Sequence, residues 1–178
     1  YGRKVSFKNL LDFCKDYGNL THAAAYGSNH GRAAKNFMHA LERFGYETKF
    51  KRPNTYNNGG VQRCKADCDV EIVLDMYDRR DDFDLFILCT ADGDLLPVVN
   101  RLIKDHGKEV VVIACKINRA LKEGCTSYIE IPESIVPDRE YCRRSAIQNR
   151  SASLCYGRND RYRRGCEAYR GFSCLAYS

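Results

Sequence analysis

Residues 84–115 read DLFILCTADGDLLPVVNRLIKDHGKEVVVIAC, which is a succession of strand, helix and strand. Residues 84–90 and 109–115 are continuous apolar runs, as expected for strands buried on both faces of a sheet. Residues 95–106 between them have helical spacing, with Pro97 in the first turn and Gly107 at the end. Because one helix joins the two strands, we predict a right-handed crossover that makes segments 85–89 and 110–114 adjacent and parallel.

The flanking sequence continues this alternation of strands with helices. Apolar residues at helical spacing, or in short extended runs, indicate the remaining elements, and the turn-forming composition NTYNNGG indicates a loop. We predict helices over 5–16, 32–44, 69–77 and 118–122, strands over 20–26, 46–51 and 128–131, and a loop over 54–60. The pattern predicts a three-layer α/β domain, with a largely parallel sheet and helices on both faces.

The composition changes near Pro137, so we divide the chain into a domain over 1–137 and an irregular basic tail over 138–178. The net charge is +6, and from Arg139 onward there are nine arginines, no lysine and three acidic residues, so the rest of the chain is neutral. A basic arm of this kind is typical of contact with a polyanion, although a solvated tail has the same composition. Tyrosines interleaved with the arginines suit stacking on single-stranded RNA.

Several classes of protein and site are disfavoured. The longest apolar runs are too short to cross a bilayer, and no secretory signal opens the chain. The ten cysteines include no C-x-x-C pair, which argues against a zinc ribbon. We therefore expect reduced thiols, no association with a membrane and an intracellular, cytoplasmic location.

The sharpest chemical feature is the segment Thr90-Ala91-Asp92-Gly93-Asp94, directly after a buried strand. Ligands of parallel α/β sheets bind at the carboxyl ends of the strands. Two carboxylates held close together repel each other unless a cation lies between them, and Mg²⁺ prefers carboxylate oxygens. The alternative is that Asp94 caps the next helix and Asp92 forms a turn.

A second acidic segment lies upstream, where Lys65 is followed by Asp69, which opens a predicted helix, and by Asp75 on the same helix. The alternative for Asp69 is a helix N-cap, and for Asp75 a position on the solvated face. Together, the order K-x-x-x-D-V-x-x-x-x-D, apolar strand, T-A-D-G-D-L-x-P, helix, Gly107-Lys108 and apolar strand resembles the NYN-domain family of the PIN-like metal-dependent nucleases. The resemblance covers about residues 1–131.

The resemblance implies a sheet of five parallel strands in the order 3-2-1-4-5 and an acidic pocket that holds Mg²⁺ or Mn²⁺ and cuts RNA. By position, it implies that Asp69, Asp92 and Asp94 are the catalytic, metal-binding carboxylates. RNA is the expected partner, and a homodimer or a larger ribonucleoprotein assembly is compatible with that role.

The chain departs from the family pattern in two places. The family begins with a central apolar strand that ends in a metal-binding Asp, whereas this sequence starts at Tyr1, where that motif ends. We therefore expect upstream residues in the natural protein and make the enzymatic prediction conditional on an Asp there. The family also often has an acid just before the last short strand, where this chain has Thr126.

These departures leave two alternatives to a ribonuclease. One is a catalytically degenerate NYN domain that binds RNA or a protein. The other, which we rank lower, is a haloacid-dehalogenase-like phosphatase, because residues 87–95 loosely resemble its strand-D-x-D-G motif, although the only Asp-Asp pair, Asp81-Asp82, precedes that motif here.

Substrate contacts are expected from loops at the same edge of the sheet as the acids. Amide and cationic side chains can meet phosphates, and an aromatic ring can stack on a base. The candidates are Asn29, Arg32, Tyr56, Arg63 and Lys65.

Overall fold

The computed structural model of the protein describes residues 5–58, 61–65, 67–114, 117–131 and 173–177. Of these, residues 55–58, 61–65 and 173–177 are described by their backbone alone. Among the described residues, none of the helices combines the length and apolarity that crossing a membrane requires.

The described chain contains helices and strands in alternation. The helices are α1 (Phe7–Cys14), α2 (Gly31–Phe44), α3 (Asp69–Asp78), α4 (Leu96–His106) and α5 (Arg119–Gly124). The strands are β1 (His22–Ser28), β2 (Glu47–Lys51), β3 (Asn54–Asn58), β4 (Val61–Lys65), β5 (Leu85–Cys89), β6 (Glu109–Ala114), β7 (Ser127–Glu130) and β8 (Ser173–Tyr177).

Six of these strands form one sheet in the order β2-β1-β8-β5-β6-β7. Strand β1 is parallel to β2, and β6 is parallel to both β5 and β7. Phe86 lies opposite Val110 and Leu88 opposite Val112, which confirms the predicted parallel pairing across α4. The carboxyl ends of the parallel strands meet along one side of the sheet, at Ser28, Lys51, Cys89 and Ala114; we call this side the carboxyl edge.

Helices cover both faces of the sheet, which confirms the predicted three-layer class. Alternate residues such as Phe86 and Leu88 point to one face and pack against α3, α4 and α5. Their neighbours Leu85 and Ile87 point to the other face and pack against α1. On that same face, Ala25 in β1 packs with Leu41 of α2. The continuous apolar character of the central strands follows from burial on both sides.

The segment 54–60, predicted as a loop, is largely a strand in the structure. Asn54–Asn58 forms β3, which pairs antiparallel with β4 in a separate two-stranded sheet. The asparagines that indicated a turn are compatible with a strand, because pairing with β4 supplies hydrogen-bond partners for the backbone of this segment.

The centre of the sheet differs from the arrangement that the family resemblance implies. Strand β8, from the predicted tail, lies between β1 and β5 and is antiparallel to both. Four of the other strands take the implied places: β2 and β1 stand at positions 3 and 2, and β5 and β6 at positions 4 and 5. β8 stands in the central position 1, and β7 adds a sixth strand beside β6. The rest of the tail and the boundary at residue 137 lie outside the described residues, so the division of the chain there stays a prediction.

Candidate metal centre

Asp92 and Asp94 lie on a tight turn at the carboxyl end of β5. The backbone N–H of Asp92 donates to the Thr90 hydroxyl oxygen at 3.2 Å, and the Asp92 carboxylate accepts from the N–H of Asp94 at 3.0 Å. A single 3₁₀ turn, Gly93–Leu95, follows and places Leu95 in the core. The turn therefore holds both acidic side chains at the carboxyl edge. The alternative prediction made Asp94 a helix cap, but the N-cap of the 3₁₀ turn is Asp92 and that of α4 is Leu95. The turn role predicted for Asp92 is compatible with a ligand role, because its carboxylate has a second oxygen.

Asp69 comes to the same place from a different element. It is the first residue of α3, which is fixed on the sheet by the fully buried side chains of Ile72 and Met76. The N-cap is Cys68 rather than Asp69, and no side chain caps the helix. The Cys68 thiol donates instead to the carbonyl oxygen of Gly27 at 3.6 Å, which ties the start of α3 to β1.

The structure brings the three predicted carboxylates together. One oxygen each of Asp69, Asp92 and Asp94 lies within 4.8 Å of the others. Asp69 is half-buried, whereas the other two are exposed. In the described part of the chain no lysine or arginine forms an ion pair with any of the three.

The electrostatic consequence is visible at Asp69. Burial, a hydrogen bond with Asp67 and the negative charges of Asp67, Asp92 and Asp94 raise the pKa of Asp69 from 3.8 to about 6. Such clustering of carboxylates is unfavourable in the absence of a positive charge. The donor set fits a hard divalent cation such as Mg²⁺ or Mn²⁺, since it consists of carboxylate oxygens and its exposed side leaves room for water ligands.

This raised pKa predicts a pH dependence of metal binding. In the metal-free protein the protonated form of Asp69 favours folding below pH 3.8, and this contribution is lost as the pH rises through about 6. A bound cation favours the ionised form, so Mn²⁺ affinity should rise as the pH increases through that value, and binding at pH 6 should release about half a proton from Asp69. Calorimetric titration at pH 6 in two buffers of different ionisation enthalpy measures this release. An Asp69→Asn variant is the control, and equal proton release in variant and parent would show that Asp69 is not the titrating group.

Asp75 is not part of the cluster, and it is not on a solvated face either. Its carboxylate accepts two hydrogen bonds from Lys49 Nζ, at 2.6 and 2.7 Å, and one from the Tyr26 hydroxyl. Burial acts to raise the pKa of Asp75, but the hydrogen bonds from Lys49 and Tyr26 and the charges of Lys49 and Arg79 outweigh it and lower the pKa. The group is therefore ionised at neutral pH.

Two of the predicted substrate residues, Asn29 and Arg32, lie at the carboxyl edge just after β1, and the other three lie on the β3-β4 hairpin. Asn29 directly follows β1, where its N–H donates to the carbonyl of Lys51, and Arg32 is exposed in the first turn of α2. Tyr56 lies opposite Arg63 in the hairpin and Lys65 lies opposite Asn54, so all four occupy the same face of the hairpin. The hairpin connects β2 to α3, so Lys65 precedes Asp69 by four residues in the sequence.

Two further residues at the site were not predicted. Asp67 is hydrogen-bonded to Asp69 and adds a fourth carboxylate. Asn118, the N-cap of α5, approaches the acidic turn so closely that a Cβ at Gly93 would lie 2.8 Å from its amide nitrogen. The signal for Asn118 was its position just after the apolar run of β6, at the carboxyl end of a predicted strand.

Thr126, expected where the family often has an acid, lies away from this site. Its hydroxyl accepts from the N–H of Val110, and its own N–H donates to the carbonyl of Val110, at the amino end of β6. That is the opposite side of the sheet from the carboxyl edge, so the absence of an acid at this position does not affect the cluster.

Comparison with known proteins agrees with the fold. A crystal structure of a protein of unknown function from Vibrio parahaemolyticus is similar to this one with a TM-score of 0.67, at 23% identity over 77% of this chain and 85% of that chain. The low amplitude and bright protein LabA of Synechococcus elongatus is 26% identical over 102 residues, which are 54% of each protein. The chain thus spans about half the length of this curated relative. A family model of the NYN domain matches residues 1–132. With the acidic cluster inside that match, the chain belongs to the NYN domain family and has its PIN-like, nuclease-type fold.

Proposed function

We propose that this protein is a Mg²⁺- or Mn²⁺-dependent ribonuclease that hydrolyses phosphodiester bonds in RNA. The observation that carries the proposal is the convergence of Asp69, Asp92 and Asp94 at the carboxyl edge, with carboxylate oxygens within 4.8 Å of one another. NYN domains generally act on RNA, and PIN-like nucleases typically use divalent metals. The chemistry of the donor set agrees with that use.

The three carboxylates would hold the cation, and each is placed by a backbone constraint. Asp92 and Asp94 are fixed by the turn after β5, and Asp69 by the start of α3. When bound, the cation supplies a Lewis acid that stabilises charge on the phosphodiester and lowers the pKa of a water molecule. The residues of the chain provide the fixed geometry, so the substrate meets charges that need no reorganisation during the reaction.

The neighbouring cationic and amide groups would bind the RNA. Arg32 is exposed in the first turn of α2, where a guanidinium and the helix N-terminus both favour a phosphate. On the hairpin, the adjacent positions of Tyr56 and Arg63 suit stacking on a base and contact with the following phosphate. The hairpin leads directly into Asp69, so an RNA strand bound across these residues would pass the carboxylates.

One observation favours the alternative of RNA binding without cleavage. The central position of the sheet is occupied by β8, Ser173–Tyr177, which contains no acidic residue. The central strand thus adds no carboxylate to those of Asp92 and Asp94, which follow β5, and of Asp69, which opens α3. A site with fewer carboxylates holds a cation less tightly.

The experiment that separates the two functions is cleavage of a labelled single-stranded RNA by the full chain, in Mn²⁺ and in excess EDTA. Cleavage that requires Mn²⁺ supports the ribonuclease. Tight RNA binding in both conditions without cleavage supports the binding module. If the protein neither binds nor cleaves the RNA, the result contradicts both functions.

The basic tail is expected to supply most of the RNA affinity. Because β8 is part of the sheet, the test must keep residues 173–177, and we suggest replacing Arg158, Arg161, Arg163 and Arg164 with Gln rather than truncating the chain. The dependence of log affinity on log salt should become shallower by ~0.7 for each RNA phosphate that the variant no longer neutralises. Filter binding over a salt series measures this slope, and the matched variant with four lysines should retain it. An unchanged affinity and slope in the Gln variant would show that the tail is not an RNA anchor.

A further inference from the structure

Helix α3 carries Asp69, and Asp75 on the same helix connects it to two strands. Lys49 of β2 donates from Nζ to both carboxylate oxygens of Asp75, at 2.6 and 2.7 Å, and the Tyr26 hydroxyl of β1 donates to one of them. Arg79, the C-cap of α3, lies 3.6 Å from the same carboxylate. A single side chain of α3 thus contacts both strands on this side of the sheet.

These contacts are shielded from water. The side chain of Asp75 is 16% exposed and that of Lys49 is 26% exposed, whereas Tyr26 is fully buried. Loss of the Asp75 charge would leave Lys49 in a half-buried position without its closest counter-ion, which is much less favourable than the loss of an exposed pair. The contact is therefore a strong directional constraint on the helix.

The other attachments of α3 constrain it less precisely. Ile72 and Met76 fix the depth of the helix in the core, but apolar contacts have little directional preference. At the first turn, the thiol of Cys68 donates to the carbonyl of Gly27, which is a weak hydrogen bond. Gly27 directly follows Tyr26, so consecutive residues of β1 contact α3 on both sides of Asp69 in the sequence.

We propose that Asp75 is a positioning residue for the candidate metal centre: through Lys49 and Tyr26 it fixes the rotation and axial position of α3, and thereby holds Asp69 against Asp92 and Asp94. Asp69 precedes Asp75 by six residues, or about 9 Å along a rigid helix, so a shift at Asp75 is transmitted to Asp69. The consequence for catalysis rests on the proposed function, whereas the effect on the position of the carboxylates does not.

The test compares Asp75→Asn with Asp78→Asn. Both variants remove one negative charge from α3, but Asp78 is exposed. In the Asp75 variant the asparagine can still accept a hydrogen bond from Tyr26, whereas the negative charge that faces Lys49 and Arg79 is removed. We expect the dissociation constant for Mn²⁺, measured by calorimetry well below the unfolding temperature, to rise roughly tenfold in Asp75→Asn and to stay unchanged in Asp78→Asn.

A double-mutant cycle with Lys49→Met distinguishes positioning from general loss of stability. If Asp75 acts through Lys49, the double variant should bind Mn²⁺ about as weakly as either single variant, because both substitutions remove the same interaction. Multiplicative effects, with each substitution lowering affinity independently, would contradict the proposal.

A crystal structure of metal-free Asp75→Asn gives a readout that does not depend on metal binding. In the parent the three carboxylate oxygens all lie within 4.8 Å of one another, and in the variant we expect the Asp69 oxygen to lie farther than 4.8 Å from those of Asp92 and Asp94. An unchanged cluster overturns the proposal, even if the protein binds no Mn²⁺. Failure of the parent to bind Mn²⁺ would instead contradict the proposed function, so the two results are distinguishable.

Discussion

Replacement of Asp92 by asparagine should reduce Mn²⁺-dependent RNA cleavage by a factor of about 10² to 10³. Asp92 lies between β5 and the 3₁₀ turn, and its oxygen lies within 4.8 Å of those of Asp69 and Asp94. The contribution of a catalytic cation amounts to several kcal/mol of transition-state stabilisation, and each 1.36 kcal/mol corresponds to about tenfold in rate. Single-turnover cleavage of a labelled RNA by the full chain measures the decrease.

Asparagine is the appropriate substitution because it preserves the local fold. Its amide oxygen can still accept the hydrogen bond from the N–H of Asp94 that caps the turn. The matched control is Asp82→Asn, which removes the same charge from an exposed position before β5. The control should cleave at the parent rate. Equal activity in the Asp92 variant and the parent would show that Asp92 is only a turn residue.

The second large effect concerns the central strand. Substitution of Ala176 by proline should destabilise the protein by several kcal/mol, a large fraction of the ~5–15 kcal/mol that stabilises a typical domain. Ala176 lies opposite Ala23 on one side and Ile87 on the other, in the middle of β8. Proline removes a ladder hydrogen bond and does not fit a central strand. Thermal unfolding followed by circular dichroism measures the change.

The control for this prediction is Ser178→Pro, one residue beyond the strand, which should unfold at the parent temperature. Hydrogen exchange adds local information. In Ala176→Pro, protection should fall first in the two strands that flank β8, His22–Ser28 and Leu85–Cys89. An unchanged unfolding temperature in this variant would mean that β8 contributes nothing to the stability of the sheet.

The parts of the fold that were predictable depend on local sequence. The unit β5-α4-β6 has two apolar runs joined by a helix, and each of the three elements can be recognised within its own residues. The carboxyl-edge position of Asp92 and Asp94 follows from the strand that precedes them. The convergence of Asp69 with them was predicted through the family resemblance rather than from periodicity.

The parts that were missed depend on contacts with other segments of the chain rather than on local composition. β8 has only five residues, and its place between β1 and β5 is set by contacts with strands far away in the sequence. β3 has a turn-like composition and becomes a strand because β4 pairs with it. The contacts of Asp75 could not be predicted either. A charged residue on a helix normally faces solvent, and only the tertiary structure shows that Lys49 of β2 pairs with this one.

The most direct test of the acidic cluster as a metal centre is calorimetric titration of the full chain with Mn²⁺ near neutral pH, beside the Asp92→Asn variant. We predict saturable binding to the parent and strongly weakened binding to the variant, because Asp69, Asp92 and Asp94 have carboxylate oxygens within 4.8 Å and no cationic partner among the described residues. Absence of saturable Mn²⁺ binding to the folded parent, or equal affinity in the two proteins, would contradict the account.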